Sequence, residues 1–213
     1  MDRETVASGD RADAVARRPA ITSISDRRLV RGVRTREAIV EAMIDLIEAG
    51  NTRPTSSQLA EEAGVAVGSL HYHFGYVDLI VDQAAALQVS RHCRLIAVIP
   101  PRGAVEARIG AICHQRRRIL EALAPVLRVA YSRASASPGL RLVLEEQRAL
   151  LRSQVATTFG PEIASAGPNG GVLLDLLDLA IGWQNWDRVR FQDGHSVAYA
   201  QRLLRLSLTV LLR

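Results

Sequence analysis

The sequence TSSQLAEEAGVAVGSLHYHF, residues 55–74, is the stretch that decides the fold. Thr55 is a typical N-cap, and it opens a short predicted helix that ends at Gly64, where a tight turn is possible. A second helix is predicted from Val67 to Phe74, because Leu70 and Phe74 are four residues apart and share one face. Gly75 is predicted to end it. Two short helices separated by a tight turn predict a helix-turn-helix, whose second helix reads the major groove of DNA.

The other face of the second predicted helix carries side chains suited to DNA. Val67 can contact a thymine methyl group, and His71 can bond a base edge. Tyr72 can donate a hydrogen bond to a phosphate oxygen, as Ser69 and His73 can. Further candidates for DNA contact are Gly68, where the backbone can approach closely, Thr55, Ser56 and Ser57 at the start of the first helix, and Arg34 and Arg36 upstream.

The charge distribution is the reason that arginines before the helix-turn-helix are candidates for DNA contact. The net charge is +5 and all 27 basic residues are arginine. Residues 1–36 carry +4, residues 37–78 carry −6 and the remainder carries +7. Because the helix-turn-helix region is acidic, attraction to phosphate is expected to come from the preceding segment. The alternative is a solvated tail without a partner. The candidate cations are Arg27, Arg28, Arg31, Arg34 and Arg36.

The predicted organisation is all-α. Residues 1–32 are expected to form a flexible arm, 33–78 the DNA-binding domain and 79–213 a helical regulatory domain. The first helix is predicted to start near Thr35 and to stop at Gly50. After a helix from Val77 into the low nineties and a break at Pro100 and Pro101, helices are predicted over 103–123, 125–134, 139–158, 171–191 and 195–212, with Gly160–Gly171 as a loop that could be mobile.

About 45 residues on the N-terminal side, up to Asp78, resemble the DNA-binding domain of the tetracycline-repressor (TetR) family of transcription regulators. The family pattern T-x-x-x-[IL]-A-x-x-A-G-V-x-x-G-[ST]-[LIF]-Y-x-H-F is followed without gaps, apart from His71 in place of the tyrosine. Val77 stands where a lysine is common, and Ala66 replaces a capping residue. The matching residues are Gly50, Thr55, Leu59, Ala60, Ala63, Gly64, Val65, Gly68, Ser69, Leu70, His73, Phe74 and Asp78.

The resemblance implies a three-helix DNA-binding domain followed by a larger helical domain that dimerises and often binds a small molecule. The end of the chain resembles the last two helices of such regulators. Its apolar positions Leu203, Leu204, Leu206, Leu208, Val210 and Leu211 exceed what one helix face buries, which favours a homodimer. Candidates for lining a pocket for a small apolar or amphipathic effector are Cys113, His114, Tyr131, Trp183, Asn185 and Trp186, although the two tryptophans could simply be packing residues.

The function expected is a dimeric repressor that a small ligand releases from a palindromic operator. An activator or a ligand-independent regulator of the same fold remains open, as does an adaptor or enzyme with an architectural helix-turn-helix. No acid, base or metal constellation favours an enzyme, and no cofactor is expected. His71 and His73 are two residues apart on a helix and point apart, so no shared metal is expected.

The cellular location expected is the cytoplasm. The N-terminal residues lack the apolar core of an export signal, and no apolar run is long enough to span a bilayer. Cys93 and Cys113 are too few and too far apart to predict a disulfide framework.

Overall fold

The computed structural model describes residues 24–213, which fold into helices without a strand. A 3-10 turn at Gly167–Asn169 and a π-helical segment at Arg188–Gln192 interrupt the α-helices. No helix in this part of the chain is long and apolar enough to cross a bilayer. The α-helices are α1 (Ile24–Glu48), α2 (Ser56–Glu62), α3 (Val67–Phe74), α4 (Val77–Cys93), α5 (Val105–Arg133), α6 (Pro138–Thr158), α7 (Gly160–Ser165), α8 (Gly170–Ala180), α9 (Trp183–Asp187) and α10 (Val197–Leu211).

Local hydrogen bonds fix both ends of α2, as the sequence predicts. The hydroxyl oxygen of Thr55 accepts a hydrogen bond from the Gln58 backbone, and the Gln58 side chain accepts one from the Thr55 backbone, which completes a capping box. Gly64 has a positive φ of 63°, a conformation that costs little only for glycine. Val65 donates to the carbonyl of Ala60 at 2.9 Å, which closes a Schellman turn and sets the direction of α3.

Helix α1 begins earlier than predicted. It starts at Ile24, so residues 24–32 belong to a helix and Thr35 is not its N-cap. The Thr35 hydroxyl instead donates to the carbonyl of Arg31, one turn back. The side chains from Arg27 to Arg31 are exposed, which explains why this segment shows no apolar period. Its helical state comes from good helix formers such as arginine and leucine and from continuity with the packed part of α1. The rest of the predicted arm, residues 1–23, lies outside the described residues.

The predicted break in the middle of α5 is wrong. Helix α5 runs through Pro125 without interruption. Leu123, Ala124, Val126 and Leu127, on either side of the proline, are all buried. Packing on several sides therefore outweighs the backbone hydrogen bond that proline removes.

The segment between α6 and α10 also differs from the prediction. Residues 160–171 form α7, a 3-10 turn and the start of α8, instead of a loop. A Cβ on Gly170 would lie 2.5 Å from the carbonyl oxygen of Ile163, so this close approach requires glycine. The single helix predicted over 171–191 is divided into α8, α9 and the π-helical segment. At the break, the Asn185 side-chain amide donates to the carbonyl of Leu179 at 2.6 Å, in addition to the backbone N–H groups that follow the end of α8.

Helix α4 connects the two halves of the protein. It packs on α1 and α3 on one side and on α5 and α6 on the other. At its start, Arg133 of α5 donates from Nε to Asp82 at 2.7 Å and from Nη1 to Asp78 at 3.0 Å. Ile80 and Ala84 lie in the shared core. The predicted boundary near residue 78 therefore falls at the start of a helix that belongs to both halves.

Substituting Gly64 by alanine is expected to lower the free energy of unfolding by about 1 kcal/mol, because a Cβ disfavours a positive φ. Gly68→Ala is the matched control, since a Cβ added at Gly68 would have no neighbour within 4 Å and the backbone there has no positive φ. Alanine at that helical position should leave stability unchanged or raise it. Chemical denaturation of both full-length variants measures the difference, and equal effects would contradict the role assigned to Gly64.

Candidate nucleic-acid interface

Helix α3 has a buried side and an exposed side. Leu70 and Phe74 are buried, which confirms them as the core anchors that the sequence predicts. Tyr72 is 86 % exposed and Val67 is 39 % exposed, although both are large side chains. Gly68 lies on the same open side, with no atom within 4 Å of an added Cβ. A short helix that holds large side chains in solvent has the form of a recognition element.

Contacts within α3 orient two of its candidate side chains. The His71 Nδ1 atom lies 3.1 Å from the carbonyl oxygen of Gly75. Because a carbonyl only accepts, Nδ1 donates in this contact, which leaves Nε2 free for another partner. The rings of Tyr72 and His73 meet edge to face with centroids 5.1 Å apart. His73 and Ser69 are less available than Tyr72 and His71, because both are half-buried.

The candidates at the start of α2 divide into two roles. The Thr55 hydroxyl oxygen caps α2 through Gln58, so Thr55 positions the helix. Ser57 is exposed and Ser56 is half-buried beside it. Of the three, Ser57 is the side chain best placed to meet a ligand outside the protein.

Arg36 is exposed, but its guanidinium is engaged by other residues of the protein. Its Nη1 donates to the carbonyl of His73 at 2.9 Å, and its Nη2 donates to the Gln83 side chain at 3.0 Å. Its guanidinium also lies 4.3 Å from the centroid of the Phe74 ring. These contacts join α1 to the end of α3 and to α4. Arg36 therefore holds the recognition element in place, and a direct phosphate contact would require these bonds to break.

The N-terminal part of α1 places cations next to α3. An added Cβ on Gly32 would lie 3.8 Å from Cε1 of His73, so the two helices approach closely at this point. Arginines on either side of Gly32 are exposed. The exposed arginines of this segment are Arg27, Arg28, Arg31 and Arg34.

The six pocket candidates of the regulatory half separate into two groups. Tyr131, Trp183 and Asn185 line one cavity of about 290 Å³, where the Tyr131 and Trp183 rings stack with centroids 6.3 Å apart. Cys113, His114 and Trp186 do not line it.

The three excluded side chains have other environments. Trp186 is fully buried and donates to Glu121 at 2.9 Å, so it is a packing residue. Cys113 is buried too, and burial raises the pKa of its thiol to about 11. His114 is exposed on α5, two positions before Arg116, which lines the cavity, and so it lies on a different face of the helix.

Sequence reasoning missed the polar residues of the same cavity. Arg116 follows Ile112 and precedes Leu120 at four-residue spacing, so it lies in the apolar stripe of α5. An arginine within such a stripe was the signal available in the sequence. The other polar residues lining the cavity are Gln147, Arg148, Asp178 and Gln184.

Solved structures with the same fold are transcription regulators. A protein from Mesorhizobium loti assigned to the TetR family is 15 % identical, with a TM-score of 0.58 over 85 % of this chain and 96 % of its own. A Rhodococcus transcriptional regulator is 18 % identical, with a TM-score of 0.64 over 83 % and 95 %. A protein from Streptomyces coelicolor described as a transcriptional regulator is 20 % identical, with a TM-score of 0.51 over 82 % and 98 %.

The similarity to these proteins lies in the fold. No protein-family model and no curated protein matches the sequence. The all-α fold with an N-terminal helix-turn-helix, predicted from residues 55–74, is confirmed.

Arg36→Gln is expected to lower the free energy of unfolding by about 1 kcal/mol, because the variant loses a charge-assisted hydrogen bond to the end of α3 and the contact with Phe74. Arg34→Gln is the control, since an exposed arginine on the same helix should change stability by less than about 0.5 kcal/mol. Thermal and chemical denaturation of the two variants provide the measurement. A loss for Arg34→Gln as large as that for Arg36→Gln would contradict the assignment.

Proposed function

We propose that this chain is a sequence-specific DNA-binding transcription regulator of the TetR type. The observation that carries the proposal is the exposed side of α3, held by a capped α2, a Schellman turn and Arg36 on a fold shared with transcription regulators. The protein would act in the cytoplasm on operator DNA. It needs no catalytic group for this role.

Recognition and affinity come from different parts of the N-terminal half. In the major groove, Val67, Gly68, His71 and Tyr72 would face base edges and the adjacent phosphates. Helix α3 has no acidic side chain, whereas α1 and α2 supply several near it. The exposed arginines at the start of α1 would supply the phosphate contacts that an acidic domain otherwise lacks.

A homodimer is supported by two adjacent exposed apolar stripes. On α8, Val172, Leu176 and Leu179 are exposed at helical spacing. On α10, which packs against α8, the exposed stripe consists of Leu203, Leu206 and Val210 together with Tyr199. Stripes on two neighbouring helices fit a four-helix interface with a second copy, and a two-fold dimer matches a palindromic operator.

The apolar residues predicted for this interface therefore divide between core and surface. Leu204 and Leu208 are buried within one chain, and Leu211 is half-buried. The other apolar positions of the prediction, Leu203, Leu206 and Val210, are exposed, so α10 has more apolar side chains than this chain buries.

The proposed response to ligand is release of the operator. The cavity is lined by α5, α6, α8 and α9, and α4 packs on both α5 and α6. Arg133 joins α5 to the first turn of α4 through Asp78 and Asp82. A ligand that favours a shifted position of α5 would move α4 and change the spacing of two recognition helices in a dimer.

The proposal is tested with DNA from the region upstream of the chain's own gene. The full-length protein should bind it in preference to random DNA, with affinity that falls as salt rises. Tyr72→Phe should weaken binding several-fold, because the exposed hydroxyl is lost while the ring remains. Ser165→Ala, which removes an exposed hydroxyl on α7, is the control and should bind normally. Affinity is measured by fluorescence anisotropy. If DNA from every neighbouring promoter binds no more tightly than random DNA, the proposal is overturned.

Leu206→Glu is expected to convert the protein to a monomer, because it places a charge in the centre of the α8–α10 stripe. Leu142→Glu is the control, since Leu142 is an exposed leucine on α6 with the same 59 % exposure. Light scattering at micromolar concentration provides the measurement. A wild-type monomer, or a dimer that persists in Leu206→Glu, would contradict the interface.

A further inference from the structure

The cavity in the regulatory half has a buried inner part and an open mouth. Leu120, Gln147, Ile181 and Trp183 are buried residues of its wall. The mouth is formed by lining residues that are exposed, among them Leu179, Gln184 and Asn185, and by Arg148. A volume of about 290 Å³ is at the lower end of the range for small-molecule sites.

Arg116 is a buried cation in the inner wall, and it forms no ion pair with the residues that the structure describes. It is 2 % exposed. Its Nη2 donates to the side chain of Gln154 at 3.2 Å and to the carbonyl of Leu151 at 3.4 Å, which are neutral acceptors. Its Nε and Nη1 atoms are buried without a hydrogen-bond partner among residues 24–213. Burial lowers the pKa of Arg116 to about 10, so it remains charged at neutral pH.

Arg108, two turns earlier on α5, shows how this fold treats a structural arginine. It is 7 % exposed, and both of its terminal nitrogens donate to Glu162 of α7, at 2.9 and 2.5 Å. It also donates to the carbonyl of Thr158 at 2.7 Å. Hydrogen bonding to Arg108 lowers the pKa of Glu162, as expected for a firm ion pair. Glu162 pairs directly with Arg108, whereas Asp178 acts on Arg116 only at longer range, although Arg116 is the more deeply buried.

The charged groups of the lining leave a positive balance. They are Arg116, Arg148 and Asp178, which sum to +1. Asp178 also lies 3.9 Å from Arg152, so its charge is shared with a cation outside the cavity. Burial raises the pKa of Asp178, which further limits its value as a counter-ion. One additional negative charge would make the lining neutral.

We propose that the cavity binds a small amphipathic monocarboxylate whose carboxylate pairs with Arg116. The planar guanidinium suits the two oxygens of a carboxylate. Its unpaired Nε and Nη1 are enclosed in the ligand-free protein, so Arg116 would turn toward the cavity to give them to the ligand. The apolar body of the ligand would lie against Leu120, Leu151 and Trp183. The volume limits that body to a single ring or a short chain. The proposal rests on the proposed function only in taking this ligand as the effector.

The charge requirement is tested by titrating full-length protein with phenylacetate and octanoate and with their neutral amides. Trp183 lines the cavity, so tryptophan fluorescence reports occupancy directly. At least one acid should bind about ten-fold more tightly than its amide, a difference of about 1.4 kcal/mol. Amides that bind as tightly as the acids, inorganic phosphate that binds more tightly than both acids, or no binding by either acid at millimolar concentration would overturn the proposal.

The variant Arg116→Gln tests whether the preference for acid over amide depends on the Arg116 side chain. The variant should lose the preference for acid over amide, whereas Arg118→Gln should keep it, because Arg118 is exposed on the same helix. A preference that persists in Arg116→Gln would overturn the proposal.

Melting of the ligand-free protein separates a binding role from a structural one. Arg116→Met should melt at the wild-type temperature or above it, because the buried charge has no ion pair to lose. Arg108→Met should melt several degrees lower, since it leaves Glu162 without its partner. A loss for Arg116→Met as large as that for Arg108→Met would place Arg116 in the structural core and overturn the proposal.

The two proposals fail in distinguishable ways. Ligand binding is measured without DNA, so a protein that binds the acid through Arg116 but ignores DNA would overturn only the proposed function. If both hold, the acid that binds should lower DNA affinity in the wild type and leave it unchanged in Arg116→Gln. An acid that binds without changing DNA affinity would support the ligand class and contradict its role as effector.

Discussion

The packing of α4 between the two halves is the constraint on which the rest of the structure depends. Its buried side chains complete the core of α1 and α3 on one side and pack on α5 and α6 on the other. The ion pairs from Arg133 to Asp78 and Asp82 hold its first turn to α5. Because close-packed interiors transmit small displacements, a change at α5 is passed to the helices that present α3. The candidate DNA-binding surface and the cavity are therefore joined by continuous packing through α4.

Arginine is the only basic residue type in this chain apart from histidine, and the structure uses it in several different ways. The guanidinium groups of Arg36 and Arg133 join helices: Arg36 joins α1 to α3 and α4, and Arg133 joins α5 to α4. Arginines at the start of α1 remain in solvent next to the candidate reading surface. Arg108 is buried with a carboxylate partner and Arg116 is buried without one. The same side chain thus packs between helices, remains in solvent or lies buried according to what surrounds it, and the proposed phosphate and ligand contacts depend on the last two settings.

The local parts of the helix-turn-helix could be predicted because they depend on neighbouring residues. The Thr55 capping box and the turn at Gly64 are formed within a few residues, and the spacing of Leu70 and Phe74 defines a buried face without knowledge of the partner. The predicted helix bounds were wrong where one of these local signals was absent or was outweighed by tertiary packing. The start of α1 has no apolar period because its side chains are exposed, and Pro125 is tolerated because buried neighbours hold α5 together.

The sequence by itself determined the all-α class, the helix-turn-helix and the exposed face of α3, since caps, glycines and apolar periods act over one or two turns. Only the tertiary structure decided which arginines are free, which leucines of α10 face outward and which tryptophan lines a cavity. Arg34 and Arg36 are two residues apart, as are Leu206 and Leu208, yet in each pair one member is open to solvent and the other is engaged in the protein. Trp183 and Trp186 are both buried, but only Trp183 lines the cavity. Periodicity shows that such residues lie on different faces, but the packing of distant helices determines what each face meets.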